Sequence, residues 1–282
     1  MSTKAPDAWS KLAPTWRSQA VSVLQQSGID SARQLISEVN KIAPFAKAEA
    51  IHDIGCGNGT VISELLKEYG SDLPDSTQIV ASDKSTSMIA EAEEQQKHFV
   101  QEGNKVWSKL TIKILDAADM HEVEDETFTH ILGGNMMYAV SDYEKVVSEV
   151  KRTLTSGGVF AYSVNADAPW IKLMGLVAQV RPDKVTPYPP AIWHTEESCV
   201  SILEKAGFTE VVGKTIPIYM QYDSPEDIVE YLTEALPWMG RIRDGMTDEE
   251  IKRSKEIMAD HLRKEGATNS MEGKAVFAIG KK

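Results

Sequence analysis

The segment Asp53-Ile54-Gly55-Cys56-Gly57-Asn58-Gly59 holds the residue types and spacing best suited to gripping a ligand. It follows a short apolar run, Ala50 to Ile54, and precedes Val61 to Tyr69, in which Ile62, Leu65 and Leu66 share one helical face. Glycines in such a strand-to-helix turn allow positive φ angles and let a ligand come close to the backbone. The helix start adds unpaired N–H donors. The spacing is G-x-G-x-G, and Thr60 stands where a dinucleotide fingerprint places its third glycine. Taken alone, the turn is equally a tight connection in any α/β protein.

Two further carboxylates narrow the chemistry. Asp83 closes the next apolar run, which begins at Gln78, where an acidic side chain accepts from both hydroxyls of a ribose. Asp116-Ala117 closes the third run, Leu110 to Leu115. There a carboxylate can accept from an exocyclic amine while a backbone N–H donates to a ring nitrogen. One Asp at a strand end is commonplace as a helix cap. Three in order, each at the end of its strand, predict a nucleoside site, because open α/β sheets bind ligands outside the carboxyl ends of their strands.

Such a site needs alternating strands and helices to position it, and the chain supplies them. Residues up to Lys47 read as helical, with Trp9, Leu12 and Trp16 at helix-like spacing, then Val21 to Gln25 and Ala32 to Ile42. Beyond the three runs above, Met88 to Val100 reads as a helix and Thr129 to Leu132 as a strand. Ser141-Asp142-Tyr143-Glu144 reads as a capping box opening a helix from Tyr143 to Leu154. Gly157-Gly158 then turns the chain into a strand over Val159 to Val164. The alternation predicts a parallel sheet with right-handed crossovers and helices on both faces.

After Val164 the rhythm breaks. Residues 165–194 hold Trp170, Tyr188, Trp193 and several prolines, the composition of a lid or pocket wall. A helix starts at Thr195 and ends before a strand over Thr209 to Val212. Ser224-Pro225 and Thr247-Asp248-Glu249-Glu250 cap two more helices, and Lys274 to Ile279 reads as a last strand. The expected organisation is a helical cap over 1–47, a nucleoside-binding core over 48–165, and 166–282 as lid, helical insertion and closing strands.

Composition excludes several functions. The 282 residues carry 30 Lys+Arg against 42 Asp+Glu, a formal charge of −12, which repels phosphate backbones and argues against a nucleic-acid partner. No run approaches the ~18 consecutive apolar residues that a membrane span requires. The first residues are polar and resemble no signal peptide. Two cysteines, Cys56 and Cys199, are too few for a disulfide framework or a four-thiolate zinc site, and no metal site is expected. A cytoplasmic enzyme or binding protein for a small molecule remains.

Four segments together resemble class I S-adenosylmethionine-dependent methyltransferases, in particular the small-molecule group that includes quinone-pathway enzymes and many fungal secondary-metabolite methyltransferases. They are Ile51 to Gly59, Ala81-Ser82-Asp83-Lys84-Ser85, Asp116 to Met120 and Leu154 to Gly158. The resemblance covers Trp9 to Val164 and the closing strands. It implies a Rossmann-like, doubly wound, mostly parallel seven-stranded α/β sheet and S-adenosyl-L-methionine as cofactor. It further implies that Asp53, Gly55, Cys56 and Gly57 pack against the methionine part and that Asp83, with Lys84 beside it, holds the ribose. Asp116 and Ala117 then read the adenine, which Met88 lines. Asn135 to Tyr138 fall where such enzymes line the sulfonium and the acceptor, and Trp9 and Trp16 resemble an aromatic pair closing over the cofactor. His52, Thr129-His130 and Ser156 depart from the family pattern without removing a cofactor contact.

The chemistry implied is modest. A sulfonium methyl is already activated, so the protein must align a nucleophile and exclude water, and orientation alone supplies on the order of 7–11 kcal/mol. A general base is optional. If one acts, His194 is the first candidate because it adjoins Trp193, the alternative being a residue that packs or caps before the Thr195 helix. Tyr138 is expected at the acceptor, and Trp170 and Trp193 as walls of an apolar or planar one. His121 and His130 read as loop and strand residues, and Cys56 as a small side chain rather than a nucleophile. The expected activity is methyl transfer to O, N or S of a small, apolar or aromatic metabolite, with oxygen favoured, by a monomer or homodimer. The alternatives are a regulatory subunit that holds the cofactor and a nicotinamide-dependent oxidoreductase, against which the glycine spacing and Thr60 argue.

Overall fold

Helix α1 (Ser22–Ile42) runs unbroken through Gly28, where the sequence suggests two helices. A helix-interior glycine costs only about 1 kcal/mol. The buried face formed by Ala32, Leu35, Ile36 and Val39 outweighs that. The computed structural model describes residues 22–186, 188–234, 237–266 and 269–282, so Trp9 and Trp16 lie outside the described residues.

The predicted alternation follows: β1 (Ala50–Ile54), α2 (Thr60–Tyr69), β2 (Gln78–Asp83), α3 (Thr86–Gln101), β3 (Leu110–Ile114), β4 (Phe128–Gly134), α4 (Tyr143–Thr153) and β5 (Leu154–Asp167). Next come α5 (Pro169–Met174), α6 (Glu196–Lys205), β6 (Thr209–Gln221), α7 (Pro225–Glu234), α8 (Pro237–Arg243), α9 (Asp248–Lys264) and β7 (Ser270–Lys281). The strands form one seven-stranded sheet in the order β3-β2-β1-β4-β5-β7-β6. β1 pairs in parallel with β2 on one side and β4 on the other, Ile51 lying opposite Ile79 and His130. Every residue of β1 is buried, as a central strand covered on both faces must be. The strand order reverses between β1 and β4, and the crevice at such a switch point is where doubly wound sheets take ligands. The expected sheet is therefore the observed one.

The chain divides into two compact units whose borders differ from those expected. The sheet unit comprises 28–166, 190–216 and 275–282, so most of α1 joins the sheet rather than forming a separate cap. Its core runs from Ile54 and Ile131 through Phe160, Tyr162 and Val164 to Phe208 and Val276. Among the described residues, the second unit draws on 22–27, 167–189 and 217–274. Within it α7 packs on α9, and Lys255 lies between Glu230 and Glu234 at 2.8 and 2.7 Å. Arg181 bonds Asp183 at 2.8 Å and the Gly245 carbonyl at 3.1 Å.

Three local readings are corrected. The cap of α4 is Asp142, whose side chain accepts from the Lys145 N–H at 2.9 Å, and Ser141 stands one residue too early for that bond. Gly157 and Gly158 lie inside β5 instead of preceding it. Their backbone exchanges hydrogen bonds with Lys282, Gly157 N–H to its carbonyl at 3.0 Å and Lys282 N–H to Gly158 O at 2.9 Å. A contact between such distant residues leaves no local signal. Strands β6 and β7 likewise outrun their predicted spans. The cap readings at Thr195, Ser224 and Thr247 hold, the last as a full capping box with Glu250.

Candidate functional site

Asp53, the penultimate residue of β1, is fully buried, and its Oδ2 accepts the Ile62 N–H in the first turn of α2 at 3.1 Å. Its Oδ1 has no hydrogen-bond partner among the described residues. Burial pushes this carboxyl up to about 8, and the nearby Asp83 charge adds to the effect while the Ile62 bond opposes it. Gly55, Gly57 and Gly59 all hold positive φ, at 57°, 56° and 86°. At Gly55 a Cβ would lie 2.9 Å from the Cβ of Met136, so the turn sits directly on the segment that follows β4. At Gly57 a Cβ would meet nothing within 4 Å. The turn is tied to β2 by Cys56 N–H, which donates to the Ser82 carbonyl at 2.9 Å. Burial pushes the Cys56 thiol up, so it stays protonated and is no nucleophile.

The two groups beside this turn give a testable pH dependence. His52 is buried within β1, its Nε2 2.8 Å from Ser82 Oγ, and burial lowers its imidazole to about 3. A histidine held neutral in the fold makes stability fall as pH drops below its unfolded value near 6.5. Asp53 acts in the opposite sense. The folded state keeps a proton that the unfolded chain has already released near pH 4, so stability falls as pH rises toward 8. Between about pH 6.5 and 8 the Asp53 effect is the one left. Urea unfolding should show declining stability across that window in the wild type and a flatter profile in Asp53→Asn; equal slopes refute the assignment.

Asp83, half-buried at the end of β2, accepts two backbone N–H groups, from Gly57 to Oδ2 at 2.9 Å and from Ser85 to Oδ1 at 2.8 Å. Ser85 then caps α3 by accepting from Met88 N–H, and Met88 itself is buried. Lys84 is exposed. Asp116 lies exposed just past β3, its Oδ1 accepting from Ala118 N–H at 2.9 Å and its carbonyl from Asp119 N–H at 2.8 Å, while Ala117 is buried. Asn135 follows β4 with φ 52°. Its N–H is shared between the carbonyl and hydroxyl of Ser163 at 3.0 and 3.2 Å, and its buried Oδ1 has no partner among the described residues. Tyr138 is half-buried, and burial pushes its phenol up to about 12. Because β1 pairs in parallel with β2 and β4, and β2 with β3, the segments carrying Gly57, Asp83, Asp116 and Asn135 all lie at or follow the carboxyl ends of these strands.

The remaining residues are distributed differently. Trp193 is a correction: only 2% exposed, it packs edge-on against Tyr143 and Tyr162 in the core of the sheet unit, with ring centroids 5.2 and 6.2 Å away. It is cement rather than a pocket wall. The indole ends a short 3-10 turn, Ala191–Trp193, and His194 follows partly exposed, its N–H bonded to the Ala191 carbonyl at 3.1 Å. Trp170 is buried within the second unit, where its ring would meet a Cβ at Gly273 at 3.0 Å. Sequence reasoning missed Ser163, which fixes Asn135. Only the register of β4 on β5, with Gly134 opposite Ser163, brings the two together.

The geometry suits an adenosyl amino acid. Bare space at Gly57, two orphaned side-chain oxygens at Asp53 and Asn135, and a carboxylate at each of two neighbouring strand ends are what such a ligand would engage. Among the described residues no group of three or more His, Cys, Asp or Glu could hold a metal ion, and no helix is long and apolar enough to cross a membrane.

Comparison with known proteins bears on the family and the fold. A family model described as a methyltransferase domain matches residues 52–162. A protein described as methyltransferase ucsB, from Acremonium sp, is 31% identical over 221 residues, spanning 78% of this chain and 76% of that one. Among solved structures, phosphoethanolamine N-methyltransferase 2 of Haemonchus contortus, in complex with S-adenosyl-L-methionine, is similar over 100% of this chain and 61% of its own, with TM-score 0.55 and 16% identity. The YcgJ protein of Bacillus subtilis is similar over 88% of this chain and 98% of its own, with TM-score 0.54 and 18% identity.

Proposed function

The chain belongs to the class I S-adenosylmethionine-dependent methyltransferases, and from that premise we propose that it methylates a small, apolar or aromatic metabolite, at oxygen in preference to nitrogen or sulfur. The observation that carries this reading is the segment Asn135-Met136-Met137-Tyr138. It lies against the glycine turn through Met136, opens with an orphaned amide oxygen, and continues with soft apolar side chains ending in a phenol. The net charge of −12 disfavours a polyanionic acceptor.

When bound, S-adenosylmethionine supplies a methyl group on a sulfonium, activated for in-line attack. Gly57 presents bare backbone to the amino-acid portion, flanked by Asp53, Gly55 and Cys56. Asp83 accepts from the ribose hydroxyls, held in place for this by the Gly57 and Ser85 N–H groups. Asp116 accepts from the adenine amine, Ala117 donates its N–H to the ring, and Met88 packs beside the base. Asn135 orients the reacting end. Tyr138 stays a neutral phenol at pH 7, so it donates a hydrogen bond to the acceptor and does not remove its proton. His194 is the candidate base. The resulting catalysis is chiefly alignment and exclusion of water.

The test is incubation with methyl-labelled cofactor and a panel containing a phenol, an aliphatic alcohol, a carboxylic acid, an amine and a thiol, read by mass spectrometry. A methylated hydroxyl or carboxyl supports the reading. Label confined to the amine or thiol overturns the preference for oxygen. Cofactor binding without transfer to any small acceptor points instead to a regulatory subunit.

A further inference from the structure

The loop that follows β3 is fastened to α4 by two side chains that the chemistry above leaves unused. Met120 is fully buried, and α4 takes both of its backbone polar groups. Its N–H donates to Glu149 Oε2 at 2.8 Å, and its carbonyl accepts from Arg152 Nη2 at 2.8 Å. Arg152 continues through Nη1 to the Val123 carbonyl at 2.8 Å and to Asp125 Oδ1 at 2.7 Å. The two side chains also fix one another, Nε to Oε1 at 3.0 Å and Nη2 to Oε2 at 2.8 Å. These bonds occupy all five N–H donors of the guanidinium, a fork no other side chain can reproduce. The Arg152 guanidinium and the Met120 N–H together hold the Glu149 carboxyl below its usual range, keeping the pair charged.

What this pair holds matters more than its own strength. Residues 116–120 form one tightly bonded turn, with Ala118 N–H on Asp116 Oδ1 and Asp119 N–H on the Asp116 carbonyl. Its start carries the exposed Asp116 carboxylate and the Ala117 N–H, and its far end is Met120. The place of those two base-facing groups is therefore set from α4 as well as from β3.

We propose that Glu149 and Arg152 are positioning residues for base recognition, holding the Asp116–Met120 turn so that it accepts a 6-aminopurine and rejects a 6-oxopurine. The proposal rests on the reading that Asp116 and Ala117 face the base. An oxopurine inverts both contacts: a carbonyl oxygen meets the Asp116 carboxylate, and a ring N–H meets the Ala117 N–H. Rejection of this kind depends on geometry, because a turn free to shift relieves both clashes.

The test is calorimetric binding of S-adenosylhomocysteine and S-inosylhomocysteine to the full chain. The wild type should prefer the adenosyl compound by about tenfold or more. Arg152→Met should reduce that preference by about fivefold, weakening the adenosyl compound while leaving the inosyl compound nearly unchanged. Arg152→Lys should recover part of it. If Arg152→Met does not fold, Glu149→Gln, of the same shape but lacking the charge, should lower the preference in the same sense. Equal weakening of both compounds, or an unchanged ratio, overturns the proposal. Asp116→Ala separates the two ideas. It should remove the larger part of the preference, leaving only the share due to the Ala117 N–H, and if the preference is unchanged in that variant, the base-facing reading of Asp116 fails and the positioning role falls with it.

Discussion

Asp83→Ala should weaken S-adenosylmethionine binding by about 1–3 kcal/mol, because it strips charge-assisted hydrogen bonds from the ribose. The structure adds a second cause. Asp83 also accepts the N–H groups of Gly57 and Ser85, so its loss unfastens the glycine turn and the entry to α3 together. The effect therefore belongs at the upper end of that range, with a measurable drop in the stability of the ligand-free protein as well. Calorimetry and urea unfolding on the same variant check both parts. Unchanged affinity would remove Asp83 from the cofactor site, whatever happened to stability.

Gly55→Ala and Gly57→Ala should fail in different ways, although the two glycines have almost the same φ. Left-handed backbone costs an alanine roughly 1–2 kcal/mol at either position. At Gly55 the new Cβ would also lie 2.9 Å from the Cβ of Met136, and overpacking of this kind typically adds about 1–3 kcal/mol. Gly55→Ala should thus lower stability by about 2–5 kcal/mol and displace Met136, disturbing the acceptor segment as well. At Gly57 the space is open, so Gly57→Ala should be the milder lesion in unfolding experiments. Its cost should appear in binding instead, as about a tenfold or greater loss of cofactor affinity, because its methyl fills the cradle the cofactor needs. If Gly57→Ala binds normally, the cofactor does not approach the turn there. If Gly55→Ala is as stable as Gly57→Ala, Met136 gives way freely and the turn does not depend on it.

The class of cofactor, and the places of the residues proposed to hold it, were legible because they are written in short segments. A strand, a G-x-G-x-G turn and a helix start lie within about twenty residues, and Asp83 is announced by the strand it ends and Asp116 by the strand it follows. The acceptor half was not. Tyr138 could be named by its place after β4, yet Trp193, chosen as an aromatic residue in a lid-like segment, packs in the core between Tyr143 and Tyr162. An aromatic residue in an irregular, proline-rich segment has the same local signature whether it faces a ligand or a core, because its neighbours come from elsewhere in the chain. His52 shows the same limit from the opposite side. Unusual for a central strand, it is accommodated by Ser82 of β2, a partner defined by strand pairing.

The sequence by itself determined the alternation of strands and helices, the glycine turn, the acidic residue at each strand end and hence the class of cofactor, since all depend on side-chain periodicity and backbone permissiveness over a few residues. The tertiary structure alone decided which polar atoms are left without partners, that Ser163 fixes Asn135, that α4 fastens the turn carrying Asp116, and that residues 28–47 belong with the sheet. Those outcomes depend on register and packing between segments tens of residues apart. No local pattern encodes such contacts, because their free energy exists only once the distant partners have been brought together.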